Sequence, residues 1–347
     1  MGSRIERAFS ILPISIAFLA RSISDSFNAS HSDSDSKVPS KMMGSVLSVY
    51  LMLLKRIIST IRYGNKMTNA SYDNPFSLLH AVNLLSQQSR INKFSKAIDE
   101  VVTTDSIVFD IGTGTGILAF LAAKAGAESV IGIDVSKQNI DYARRASKAN
   151  ELDDRVKFIH VHFDDFNPEI KADIVICEML SSMLLVEQQI PAMRRVNDSL
   201  LGNNGTTIPK STTVYVVPVQ SEYMWNRFQT GDLRFPKMPQ SVGGLNEVDD
   251  LADMQTLFHV EYRDLNTDFH VSEKLSFEII TDGFVHGIVG MFEAELTPEV
   301  LLRPEDGWKH LFVPIKQEKR VRKGEIITIQ IEYTPGEFDS ISVAIES

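Results

Sequence analysis

The chain has 347 residues, of which 43% are hydrophobic and 23% charged, a composition that leaves room for two domains with cores of their own. Its formal net charge is −10; residues 1–66 hold nine Lys/Arg against four Asp/Glu, so the remainder stands at −15. An acidic body argues against a broad phosphate-binding face, and so against nucleic acid as partner, and suits a cationic partner steered by the summed field.

The first 66 residues differ from the rest. Ala8–Ala20 is a short apolar run between Arg7 and Arg21, a Ser/Asp-rich tract follows to about residue 41, and Ser45–Leu54 is apolar again. Neither run reaches the roughly eighteen clean apolar residues of a membrane span. A targeting peptide, a membrane-surface helix and a mis-assigned start are all open readings; a dispensable extension is expected, with a complete segment opening at Met67. Residues 74–102 are predicted helical. Asn74-Pro75 supplies a cap and a proline at the first helical position, and Leu78, Leu79, Val82 and Leu85 mark one apolar face.

Ile107–Asp110 is an apolar strand that runs into Gly112, Gly114 and Gly116, and a helix-like run follows from Ile117 to Gly126. A dinucleotide turn reads G-x-G-x-x-G. Here the spacing is G-x-G-x-G behind an acid, Asp110, and it resembles the first motif of the class I methyltransferases, which bind S-adenosylmethionine. Ser129–Asp134 is a second short strand ending in a carboxylate, placed to take both hydroxyls of a ribose. The alternative for Asp134 is a cap on the helix predicted over 137–150. Strands at 156–160 and 172–177 and a helix at 184–200 complete an alternating pattern. The fold class is therefore α/β, a Rossmann-like doubly wound sheet with its ligand at the C-terminal ends of the strands.

The fourth strand, Ala172–Cys177, ends on Glu178, and Glu187 follows nine residues later. A guanidinium stays protonated and presents a planar fork of donors. Carboxylates on two sides would fix its plane and polarise it through charge-assisted bonds. Elsewhere two such glutamates would be solvated helix residues; at this strand end they are candidate catalytic groups. Asn/Asp-Pro-Pro-aromatic, the pattern of many base and amide methylases, is absent from this position. Cys177, the one cysteine, excludes an internal disulfide framework and suits a reducing compartment such as the cytoplasm. It is expected to be a buried strand-end residue. No Cys/His cluster has zinc spacing, so no metal is expected. His80, His160, His162 and His286 are expected to be structural.

After Gly202-Asn-Asn-Gly205 the pattern turns β-rich. Val214–Val219, Leu257–Tyr262, Leu275–Ile280, Val285–Leu296, His310–Ile315, Ile326–Tyr333 and Ser340–Ile345 alternate with turn signals. Three segments are expected: 1–66, an extension; 67–205, the cofactor-binding domain; and 206–347, a mostly antiparallel β-barrel-like substrate domain with an insertion near 222–256.

At this point the sequence resembles the protein arginine N-methyltransferases. Their first motif is similar to Val108–Gly116, their second-strand acid to Asp134, and their acidic loop holds two glutamates at the spacing of Glu178 and Glu187. The resemblance implies that Asp164 accepts the adenine amino group, that Arg90, in Leu84-Leu85-Ser-Gln-Gln-Ser-Arg90, meets the methionine carboxylate, and that Val285–Phe292 and Lys323–Ile327 are barrel strands, with Ile208-Pro209 the domain junction. It implies S-adenosyl-L-methionine as cofactor, a protein or peptide arginine (or a small guanidino metabolite) as acceptor, and leaves a homodimer open. The chain departs from the family where Met179-Leu-Ser-Ser182 replaces Trp-Met-Gly-Tyr and Asp306-Gly307-Trp308 replaces Thr-His-Trp. Its insertion is also shorter than the family's dimerisation arm. Two rivals share the fold: a methyltransferase of RNA or a small amino or guanidino metabolite, and an adaptor without turnover.

Overall fold

The computed structural model describes residues 75–243, 247–265 and 269–346. The extension over 1–66, Met67 and the Asn74 cap lie outside the described residues. Two helices open the described chain, α1 (Pro75–Leu84) and α2 (Gln88–Val101). One continuous helix was expected here. The Ser86 hydroxyl instead donates to the Asn83 carbonyl at 2.7 Å, the kind of side-chain bond that competes with the helical ladder. The break matters for the site. It starts α2 afresh, with Arg90, Phe94, Ala97 and Ile98 on one buried stripe at i, i+4, i+7 and i+8.

The parallel sheet has the order β3-β2-β1-β4-β5. Its strands are β1 (Ile107–Ile111), β2 (Ser129–Asp134), β3 (Val156–His160), β4 (Ala172–Cys177) and β5 (Leu201–Ile208). Central strands covered on both faces should be apolar along their whole length, and β1 and β4 are, with two exceptions: the buried Asp110 and, near the start of β4, the exposed Asp173, which accepts from the Ile107 amide at 2.9 Å. Helices α3 (Ile117–Lys124) and α4 (Lys137–Ala149) connect them. Because β1 pairs with both β2 and β4, the strand order reverses between β1 and β4, and the crevice for a ligand opens there. The expected turn at Gly202–Gly205 is instead part of β5, so the fifth strand runs through the expected domain boundary and ends before a cis peptide to Pro209.

The helix expected over 184–200 is shorter. A 3₁₀ turn occupies Ser182–Leu184, α5 covers Gln189–Arg195 and a π turn follows at Val196–Leu200. Met183 and Leu184 have φ of +61° and +52°, which no right-handed helix admits.

The C-terminal half is antiparallel. Strand β6 (Ser211–Gln220) pairs with β10 (Gly283–Thr297), which pairs with β11 (Leu311–Val321). A separate sheet joins β9 (Val271–Glu278), β12 (Ile326–Tyr333) and β13 (Ser342–Ile345). Both sheets keep open edges, so the domain is a pair of sheets and not a closed barrel. Within the insertion lie α6 (Glu222–Asn226) and a small hairpin, β7 (Gln229–Thr230) with β8 (Leu233–Arg234).

Candidate active site

From the end of β1 the chain turns through Gly112, Gly114 and Gly116 into α3, with φ of +75°, +55° and +84° at the three glycines. At Gly116 a Cβ would lie 2.7 Å from the Phe158 ring, so glycine is needed for space as well as for angle. Gly114 has only the Ala81 methyl at 3.5 Å nearby, and its positive φ alone calls for glycine.

Two aspartates brace this turn. Asp110 is fully buried, and its Oδ2 accepts from the Thr113 hydroxyl at 2.5 Å and from the Ala119 amide at 3.1 Å. Burial pushes its carboxyl up to about 7 against those bonds. Asp110 therefore holds the turn from behind. Asp134, at the end of β2, accepts from the Gly114 and Ser136 amides at 2.9 and 2.7 Å and from Asn139 Nδ2 at 3.2 Å. Burial raises its carboxyl too, and the same donors oppose the rise. It does not cap α4: the Ser136 hydroxyl, which accepts from the Asn139 amide, does. A carboxylate has about four lone-pair positions, and three donors leave Asp134 with acceptor capacity. Asn139 Oδ1, beside it, is buried with no partner among the described residues.

The second half of the site is an arginine among acids. The Arg90 guanidinium is ion-paired with Glu178, and the two side chains are 9% and 10% exposed. Its Nη1 donates to Gln87 Oε1 at 3.2 Å, and its Cζ lies 4.4 Å from the centroid of the Trp308 indole, a cation–π distance. Burial lowers Arg90 to about 10, with Glu187 the opposing influence, although the bonded carboxylate is that of Glu178. Burial raises the Glu187 carboxyl to about 7, and Arg90 is the charge that holds it down. Glu178 thus bonds this guanidinium, and Glu187 is near enough to feel its charge.

The acidic loop between them is anchored from both domains. The Trp308 indole N–H donates to the Leu180 carbonyl at 2.8 Å, Ser182 Oγ to the Lys309 carbonyl at 2.5 Å, and the buried Tyr333 hydroxyl to the Met183 carbonyl at 2.7 Å. Left-handed geometry at Met183 and Leu184 costs about 1–2 kcal/mol per residue, so these bonds are what keep the loop in its shape. Gln189, fully buried, bonds the backbone on both sides of Glu178.

Asp164 stands apart. It lies in an exposed 3₁₀ turn after β3, its side chain 66% exposed and 3.5 Å from His162 Nδ1. His160 bonds the Val135 carbonyl, and the buried His286 bonds the Ser221 amide and Glu318, which are structural uses. The Cys177 thiol is buried and pushed far up by that burial, which leaves it inert. Sequence reasoning did not single out Gln87, Gln189 or Tyr333. Only Gln189 carried a signal, as a polar residue opening an otherwise apolar helix turn.

Gly307 stands where the family that the sequence resembles has a histidine. A Cβ at Gly307 would lie 2.3 Å from Gln87 Oε1, so the Gln87 side chain fills the space. Asp306 serves a different purpose: it accepts from Ser89 Oγ at 2.5 Å and Lys93 Nζ at 2.6 Å, fastening α2 to the β domain.

Comparison with known proteins supports this reading of the fold. The family described as ribosomal protein L11 methyltransferase (PrmA) matches residues 95–200. A probable protein arginine N-methyltransferase 6.1 of Oryza sativa subsp. indica is 36% identical over 113 residues, 33% of this chain and 30% of that protein. Protein arginine N-methyltransferase 8-B of Danio rerio is 26% identical over 260 residues, 67% of this chain and 60% of that one. The chain thus spans only part of the length of these relatives. Among solved structures, the Trypanosoma brucei PRMT1 enzyme–prozyme heterotetrameric complex with AdoHcy superposes with a TM-score of 0.66 at 22% identity, covering 76% of this chain and 90% of that one. In sequence over the parallel-sheet domain, and in fold over both domains, this chain is a relative of the protein arginine N-methyltransferases.

Proposed function

We propose that the chain is an S-adenosylmethionine-dependent N-methyltransferase whose acceptor is a guanidino nitrogen of arginine in a protein or peptide. One observation carries the reading. Glu178, at the end of β4, already holds a guanidinium, that of Arg90, in a site shielded from water, and the same charge acts on the Glu187 carboxyl.

The cofactor fits the residues around the glycine turn. Glycine geometry leaves the Gly114 side of the turn open, Asp134 has acceptor capacity facing it, and Asn139 Oδ1 lacks a donor. In this reading the backbone of Gly112–Gly116 and Asp134 hold the adenosine, Asp164 meets the adenine amino group from the rim, and Arg90 meets the carboxylate. Asp110 acts only through the turn it braces. When bound, S-adenosylmethionine supplies an electrophilic methyl group on a sulfonium. Glu178 and Glu187 fix the acceptor's plane and draw its positive charge toward the nitrogens they hold, so placement and electrostatics supply the catalysis. A small guanidino metabolite would satisfy the same acids.

The buried single cysteine supports a reducing compartment such as the cytoplasm. Tyr223, Leu233 and Phe235 are 60%, 65% and 57% exposed on the insertion, which supports self-association; sedimentation of the purified chain tests it. Incubation of the chain with methyl-labelled S-adenosylmethionine and a cell extract tests the activity. Label recovered as methylarginine after hydrolysis of the protein fraction is the expected result, and label only in RNA or in small molecules would overturn the acceptor.

A further inference from the structure

Glu178 is the first residue beyond β4. Cys177 is still in register with Ile111 of β1, whereas Met179 has left the ladder. A strand end of this kind has no sheet to set its direction. Here one side chain does so. Gln189 Nε2 donates to the Cys177 carbonyl at 3.0 Å, and Gln189 Oε1 accepts from the Met179 amide at 2.8 Å. The carboxamide therefore bridges the peptide on either side of Glu178. It is fully buried.

We propose that Gln189 is a positioning residue for methyl transfer, holding the backbone on both sides of Glu178 so that this carboxylate meets the acceptor guanidinium at a fixed angle. The inference rests on the functional reading above and deepens it. Gln189 touches neither reacting group. Its effect is transmitted through Glu178; the Glu187 amide is held separately, by Ser181 Oγ at 3.1 Å. A buried glutamine in an apolar core needs both ends of its amide bonded, and these bonds meet that need.

Gln189→Met keeps an unbranched side chain of similar length and removes both bonds. Gln189→Glu keeps the acceptor for Met179 and loses the donor to Cys177. The readouts are cofactor affinity by calorimetry, kcat per cofactor-binding molecule with a library of arginine-containing peptides, and hydrogen exchange of the Met179 amide. We expect Gln189→Met to bind cofactor within about threefold of the parent and to lose about tenfold or more in kcat, the scale of one or two lost hydrogen bonds. Met179 should exchange faster while the β1 and β4 amides stay protected. Gln189→Glu should recover part of both losses. Counting turnover per cofactor-binding molecule separates this from a purely structural role, which would lower only the folded fraction. If Gln189→Met does not fold, Gln189→Glu decides the matter by the same two readouts. Parent-like kcat and Met179 exchange in the folded variants would overturn the proposal while leaving the functional reading intact. A parent chain inert toward every arginine peptide would overturn both.

Discussion

Arg90, on the inner stripe of α2, is ion-paired with Glu178 at the end of β4, and both side chains are about nine-tenths shielded from water. Removing one partner of a buried pair strands the other charge, at a cost of about 3–5 kcal/mol. Arg90→Met should therefore lower the unfolding free energy by roughly that amount, measured by urea denaturation at neutral pH. A change below about 1 kcal/mol would mean that the pair is solvated and contributes as a surface pair does.

Gly114→Arg should abolish cofactor binding. The backbone there has φ +55°, unfavourable for any side chain, and the space beside it is open apart from Ala81, so the new side chain would enter the hollow that faces Asp134. Calorimetry with S-adenosylhomocysteine reads the result. Binding at parental affinity by the folded variant would place the cofactor elsewhere.

Glu178→Gln and Glu187→Gln keep shape and remove charge. Each should retain cofactor affinity and lose transfer. One charge-assisted pair contributes about 1.5–3 kcal/mol, which is roughly ten- to a hundredfold in rate. Since Arg90 is paired with Glu178 and its charge acts on Glu187, the double variant should depart from additivity. Full activity in both single variants would remove the acid pair from the mechanism.

Activity and stability should respond to pH in opposite directions. Burial raises the Glu187 carboxyl from 4.5 to about 7, with Arg90 opposing. Polarising a guanidinium needs the ionised form, so kcat/KM should rise with pH through about 7, and Glu187→Gln should flatten that limb. For stability the sign is reversed. A carboxyl raised on folding contributes its stability fully below its unfolded value and loses it as pH rises through the folded one. Asp110, raised from 3.8 to about 7, acts in the same direction. Unfolding free energy should therefore gain less, or fall, between about pH 5 and 7 as far as these two groups govern it. A kcat/KM profile flat across that range would disconnect Glu187 from transfer.

Local rules were enough for much of this molecule. Apolar strands flanking three glycines, an acid closing the second strand and alternation with helices all point to a parallel sheet, because period and turn chemistry are written in neighbouring residues. The glutamate pair was legible for the same reason: Glu178 ends a strand, and strand ends are where such sheets place chemistry. Sequence could not show that α1 and α2 are separate, since one serine hydroxyl bonded to Asn83 decides it. Nor could it show that two left-handed residues stop a helix at Met183 and Leu184, because that strain is held by Tyr333 and Trp308, more than a hundred residues away. Asp110 and Asp134 look alike in the chain; only packing turned one inward to brace the turn and left the other with capacity to bind. The same holds for Gln87 in the space beside Gly307, and for Gln189 across Glu178. The identity of the candidate groups is a property of the sequence. Their directions and charges depend on burial and on hydrogen bonds between distant segments, which exist only once the tertiary structure has formed.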